Sequence, residues 1–179
     1  TIKYGKLTAA AKAREKKTGM KIGKAVAALH KAPAMPPFTA TVVIIRMNED
    51  GTVMVNFSLT EIGQGTYTSV GQIIAERLKF PLKKVKVSID CDTDHDPYDW
   101  QTVASKGLMM TGNAAILAAE DLLKKAYEIA GQILRGQPCD LDHDADRIFI
   151  RHHPSKGVTW QQISIGFSYP DGNGIGGPL

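Results

Sequence analysis

Apolar and polar positions along the chain mark out a short series of elements. Residues 39–47 are a nearly continuous β-branched run, Thr41-Val42-Val43-Ile44-Ile45, which reads as a strand buried on both faces. Asn48-Glu49-Asp50-Gly51 is a hairpin connection. Residues 52–59 alternate, with Val53, Val55, Phe57 and Leu59 on one face and Met54, Asn56 and Ser58 on the other. Residues 68–79 place Val70, Ile73, Ile74 and Leu78 at helical spacing, and Pro81 stops that helix. Residues 84–91 alternate again, with Val85, Val87, Ile89 and Cys91 on one side. Residues 111–135 carry the longest helical stripe, which Gly136 is placed to end. The order strand, hairpin, strand, crossover helix, strand predicts an α+β fold (α/β, two layers). Its mixed β-sheet has helices packed on one face.

The remaining segments are less regular. Residues 7–17 read as a helix that Thr8 or Thr18 can cap, and residues 21–30 as a second short helix or an extended arm. Pro33, Pro36 and Pro37 then mark a linker. Residues 92–106 form a long polar loop whose two large aromatics, Tyr98 and Trp100, argue against disorder. Residues 140–146 read as an acidic loop, residues 147–151 as a short strand and residues 160–169 as a final strand. The expected organisation is an amino-terminal helical arm and linker over 1–37, a domain over 38–170, and a truncated glycine-rich tail over 171–179.

Charge and cysteine content narrow the classes. The formal net charge of +4 comes largely from the first 31 residues, among them Lys12, Arg14, Lys16, Lys17, Lys21 and Lys24. Only Tyr4 interleaves with these cations, so base stacking has little to work with, and a solvated helix plus connector is expected rather than a nucleic-acid partner. No apolar run approaches membrane-spanning length and no signal-peptide pattern opens the chain, so no membrane partner is expected. Cys91 and Cys139 have no metal-ligand spacing, which points to a reducing, cytoplasmic setting.

The chemistry centres on Thr60-Glu61-Ile62-Gly63-Gln64-Gly65-Thr66, a glycine turn between the second strand and the helix after it. A helix start offers unpaired N–H groups and the positive end of the helix dipole, so it favours anions. Gln64 adds an amide that can both donate and accept. If the second and third strands are parallel, the long loop opens at the same edge, where Ala104-Ser105-Lys106-Gly107 forms another small, polar cradle. Two cradles suit a phosphate-bearing cofactor. The acidic run Asp90, Asp92, Asp94, His95, Asp96 and Asp99 lacks the glycine and terminal glutamate of a calcium loop and reads as solvated. No residue is singled out as catalytic or as a metal ligand.

Two motif blocks carry a family resemblance. Glu61-Ile62-Gly63-Gln64-Gly65 with Thr68, Gln72, Ala75-Glu76 and Leu78 is the first. Asp92-Thr93-Asp94, the run Pro97 to Ser105, and Thr111-Gly112-Asn113-Ala114 make up the second. Together, over about residues 19–170, they resemble the molybdopterin-binding large subunit of the xanthine dehydrogenase and aldehyde oxidase family. The resemblance implies a molybdenum-cofactor-binding-domain-like fold and a molybdopterin cofactor, in bacterial members often the cytosine dinucleotide form. It implies that Gly63, Gln64, Gly65, Thr66, Ala104, Ser105 and Lys106 hold that cofactor. Lys106 stands where the family usually has arginine, whose bidentate grip lysine lacks.

The implied activity is hydroxylation of a heterocycle or aldehyde by the complete enzyme, with electrons leaving through iron–sulfur and flavin subunits or domains. The family's catalytic glutamate lies far downstream, in the remainder of the molybdenum subunit. The chain therefore reads as a fragment that, on its own, neither turns over substrate nor retains the pterin. The rival expectation is a stand-alone, non-catalytic binding module that offers the same edge to a nucleotide or anionic partner.

Overall fold

The computed structural model describes residues 6–30, 39–89 and 92–179; the proline linker, Asp90 and Cys91 lie outside them. The chain divides into two compact units, Thr1–Met35 and Pro36–Leu179.

In the first unit, helix α1 (Ala9–Thr18) starts where the Thr8 hydroxyl accepts from Ala11 N–H at 3.2 Å. It ends at Gly19, whose φ of 71° lets its N–H reach Glu15 O at 2.9 Å. No residue of α1 is buried. Residues 20–30 contain no helix or strand, so the extended arm is the option that forms. Its backbone is tied back where Ile22 N–H donates to the Glu15 carboxylate at 2.7 Å.

The second unit is built on β1 (Ile44–Met47), β2 (Val53–Asn56) and β3 (Val85–Val87), in the order β1-β2-β3. β1 and β2 are an antiparallel hairpin, and β2 runs parallel to β3, with Val53 opposite Val85. Between them, α2 (Thr66–Arg77) crosses over one face. The third strand is shorter than its alternation suggests. β1 differs too: it is an edge strand, and only one face is covered. Val43 and Met47 are buried, while Val42 and Ile44 on the other side are 44% and 47% exposed. A continuous apolar run cannot distinguish these cases by period alone.

Helix α3 (Lys106–Leu134) starts five residues before the expected position and spans about 43 Å at 1.5 Å per residue. It packs against β1 and α2 and extends onto a second sheet of β4 (Leu141–His143), β5 (Arg147–Ile150) and β6 (His153–Thr159), all antiparallel. The segment 140–146 is thus not simply an acidic loop. Its aspartates alternate with Leu141 and His143, which are 1% and 6% exposed. Their period of two is that of a half-buried strand.

Residues 160–169 are not one strand. Thr159 and Gln162 form a reciprocal capping box, and the short helix α4 (Trp160–Ile163) buries Trp160 and Ile163. Only β7 (Phe167–Ser168) is extended there, paired with β8 (Gly174–Ile175). The buried Leu179 donates its N–H to Ser164 O at 2.9 Å and accepts from Met47 N–H at 2.8 Å.

The fold is therefore α+β, with helices on one face of a mixed sheet. Among the described residues the strands group into three small sheets rather than one. The core joins Val53, Val55, Phe57 and Leu59 to Val70, Ile74 and Leu78 of α2 and to the alanine-rich stripe of α3.

Candidate functional site

Because β2 and β3 are parallel, the loops that follow them leave the sheet at the same edge. The first is the glycine turn. Gly63 and Gly65 have φ of 97° and 76°, a conformation that only glycine adopts freely. A Cβ built on either meets no atom within 4 Å, so there is open room beside both.

The polar groups of this turn are arranged in a way that the glycine pattern alone does not reveal. The Glu61 carboxylate accepts from four backbone N–H groups: Gly63 at 2.8 Å, Gly65 at 2.9 Å, Thr66 at 2.6 Å and Tyr67 at 3.4 Å. Desolvation pushes the Glu61 carboxyl up. The N–H groups of Gly65, Thr66, Gly63 and Tyr67 outweigh that, and its pKa lies below the ordinary glutamate value. Gln64 is folded over the same turn. Its Oε1 accepts from Ile62 N–H at 2.7 Å, and its Nε2 donates to Thr60 O at 3.2 Å and to Thr66 Oγ1 at 2.7 Å. Thr66 is 2% exposed.

The second loop, 92–106, is fastened along the polar side of β2 and its continuation. Asn56 donates to Asp96 Oδ1 at 3.1 Å, Ser58 donates to Pro97 O at 2.5 Å, and Thr102 donates to Thr60 O at 2.7 Å. Every second residue of this stretch, 56, 58 and 60, thus holds one point of the loop. Asp99 adds two anchors: Thr41 Oγ1 donates to it at 2.7 Å and Lys106 Nζ at 3.1 Å. The side chains of Lys106 and Asp99 are 2% and 1% exposed, so this ion pair is buried, with the Trp100 ring 5.9 Å from the ammonium.

These anchors impose strain at the loop's end. Ala104 and Ser105 both have left-handed backbones, φ 50° and 60°. For non-glycine residues this costs roughly 1–2 kcal/mol each, and such strain gathers at functional sites. Directly after them α3 begins. No side chain caps that helix start, and its first turn holds no acidic residue. The two helix starts thus differ: α2's is filled by Glu61, whereas at α3's no side chain accepts and the Lys106 N–H donates to Val103 O at 3.0 Å.

All seven residues expected from the sequence lie on these two loops, which the Thr102–Thr60 bond joins. Gly63 and Gly65 supply shape and room, Gln64 an amide, Thr66 a buried hydroxyl, and Ala104 and Ser105 a strained backbone ahead of an open helix start. Lys106 supplies a buried brace, since its ammonium is turned towards Asp99 rather than outwards. The acidic run serves as structure: Asp92 accepts from Asp94 N–H at 2.9 Å and pairs with His95 at 3.1 Å. Among the described residues no three His, Cys, Asp or Glu side chains gather as a metal site. No helix among them is long and apolar enough to cross a membrane.

Comparison with known proteins gives this edge its context. The family model described as "Molybdopterin cofactor-binding domain" matches residues 1–172. The chain belongs to that family. Among relatives of this molybdopterin cofactor-binding domain, the Escherichia coli (strain K12) protein named Probable hypoxanthine oxidase XdhD is 38% identical over 117 residues, covering 65% of this chain and 12% of the relative. The carbon monoxide dehydrogenase large chain of Afipia carboxidovorans is 31% identical over 120 residues, 67% of this chain and 15% of that one. A solved structure of CO dehydrogenase from Oligotropha carboxidovorans superposes with a TM-score of 0.64 at 29% identity, covering 70% of this chain and 16% of that one. The domain thus spans only 12–16% of the length of these proteins.

The residues present fit a phosphate-bearing pterin. Open room lies beside Gly63 and Gly65, and no side chain caps the α3 start, whose dipole favours an anion. Glu61 and the ladder of Asn56, Ser58 and Thr60 were not singled out from sequence as site-building residues. An acid two positions before a Gly-x-Gly turn, and polar residues at every second position leading into it, are the signals that identify them.

Proposed function

We propose that this domain is the cofactor-positioning part of a molybdenum hydroxylase that oxidises heterocycles or aldehydes, with the pterin held between the loops at 60–66 and 102–106. The observation that carries the reading is the Thr102–Thr60 hydrogen bond at 2.7 Å, which unites two motif-bearing loops at one edge of a parallel strand pair. Membership of the molybdopterin-binding family supports it. So do relatives named as a hypoxanthine oxidase and a carbon monoxide dehydrogenase.

The geometry supports the following roles. Gly63 and Gly65 let the cofactor approach the backbone, and Gln64, whose amide lies folded over the turn, would swing outward to meet it. The N–H groups at the α3 start receive anionic groups, and Ala104 and Ser105 set the direction of that helix start. Lys106 holds the loop through Asp99. When bound, the molybdenum pterin supplies the redox centre at which a substrate carbon is oxidised. The cytosine dinucleotide is the proposed form, because its additional phosphate suits an open second helix start. The proposed organisation is an amino-terminal arm over 1–37, a binding domain over 38–170 and a glycine-rich tail over 171–179. The proposed partners are the remainder of the molybdenum subunit, which supplies the catalytic base, and iron–sulfur and flavin units that take the electrons. The proposed setting is the cytoplasm.

The test is a titration of the isotopically labelled chain with molybdopterin, followed by amide resonances. Shifts confined to residues 60–67 and 102–108 are expected, with weak binding and no turnover by the chain alone. Shifts centred instead on the cleft at the far end of α3, lined by Glu128, Gln132, Arg135 and Asp140, would overturn the reading.

A further inference from the structure

A glycine-rich strand-to-helix turn is ordinarily read as an anion receptor. Here the receptor already holds an anion that belongs to the chain. Gly63 and Gly65, both with positive φ, curl the backbone so that N–H groups from residues 63, 65, 66 and 67 converge on one point. The Glu61 carboxylate occupies that point. Oε1 takes the two glycine N–H groups, and Oε2 takes the first two N–H groups of α2. α2 has no other side-chain cap.

We propose that Glu61 is a positioning residue: its carboxylate closes the start of α2 to external anions and holds the Gly63-Gln64-Gly65 turn in shape while Gln64 turns outward. This deepens the cofactor reading given above and rests on it for the role of Gln64.

Three observations lead to this assignment. First, any free phosphate must displace a carboxylate tethered two residues from its nearest donor, which competes at an effective concentration on the order of millimolar or above. Second, the positive end of the α2 dipole is already offset by that charge. Third, Gln64 has its Nε2 committed inside the turn to Thr60 O and Thr66 Oγ1 and its Oε1 to Ile62 N–H, and swinging the amide outward surrenders all three. Thr60 O keeps a partner, because Thr102 also donates to it. The backbone curl keeps its own partner in Glu61. Gln64 is therefore free to exchange partners without collapse of the turn, and Glu61 is not.

The assignment is tested on the full chain by amide spectroscopy with inorganic phosphate as the probe. In the unaltered chain, phosphate at tens of millimolar should leave the amides of Gly63, Gly65, Thr66 and Tyr67 unshifted. These amides should instead titrate together with the Glu61 carboxyl, at a midpoint below that of an ordinary glutamate. In Glu61→Ala, the same four amides should exchange with solvent at least roughly tenfold faster, and phosphate should now shift them saturably and restore their protection. Glu61→Gln, nearly the same shape without the charge, should also lose protection. Loss of a merely structural contact would not be rescued by an added anion. Phosphate shifts at these amides in the unaltered chain, or unchanged amides in Glu61→Ala, would overturn the proposal. None of these readouts involves the pterin. Their failure removes the role of Glu61, and failure of the pterin titration removes the cofactor reading.

Discussion

The hydroxyl of Thr102 donates to the backbone carbonyl of Thr60 at 2.7 Å, and this single bond joins two loops 42 residues apart. Thr102→Val keeps the shape and removes the donor. The expected loss is about 1 kcal/mol of stability, with faster amide exchange over residues 103–106. Thr102→Ser should leave both unchanged. Urea unfolding and hydrogen exchange of the three chains provide the check. Unaltered exchange in the valine variant would mean that the other anchors suffice.

The buried pair Asp99–Lys106 makes a second prediction. Its side chains are almost wholly inaccessible, so removing one partner strands the other charge in the interior. Asp99→Ala should cost about 3–5 kcal/mol. The double change Asp99→Leu with Lys106→Met should recover most of that, because no charge then remains unpaired. Denaturant midpoints for the single and double variants decide the matter. Equal losses in both would show that the ion pair itself, rather than the stranded charge, sets the cost.

His143 predicts a pH dependence. Its Nδ1 lies 2.6 Å from the Tyr127 hydroxyl, and the ring packs near Trp160. Burial, then the Lys79 ammonium, push its pKa below 6.5, against an upward pull from Asp142. Burial, then the Asp142 carboxylate, raise that of Tyr127, so the phenol is the donor and the imidazole the acceptor. The neutral ring is the folded form, whereas the unfolded chain takes up a proton near 6.5. Stability is therefore full above that pH and declines as the pH falls below it, until the folded ring also protonates. Thermal midpoints between pH 7.5 and 5, with His143→Asn as the flat control, should show this. The depressed carboxyls of Glu61, Asp92 and Asp142 act lower, with stability lost only as the pH falls through their folded values, below 4.5.

Thr111 offers a gain rather than a loss. Its hydroxyl is fully buried in α3 and, among the described residues, has no hydrogen-bond partner. Thr111→Val removes an unsatisfied polar atom at nearly constant volume and should raise stability by about 1 kcal/mol. A lower melting temperature in the variant would show that the hydroxyl is satisfied in solution.

Much of the fold was readable because its elements are strongly periodic. The alternation of Val53, Val55, Phe57 and Leu59 and the spacing of Val70, Ile74 and Leu78 fixed the hairpin, the crossover and the parallel pair. The other elements lack such a clear period. β4 has two buried positions hidden among aspartates, and α4 is a single turn, Trp160–Ile163, inside a stretch that alternates like a strand. The early start of α3 is masked by Gly107, a poor helix former at a position where a Cβ would press on Leu59 at 3.3 Å. At the turn, the glycines reveal the bend but not the carboxylate that fills it. Side-chain closure by Glu61 and the inward turn of Lys106 are pairwise geometries with no periodic signature.

Glu61 and its four donors lie within seven consecutive residues. A corner that contains both its acceptor and its donors does not depend on distant parts of the molecule for its bend. It behaves as a portable part: grafted between another strand and helix, residues 61–67 should impose the same curvature.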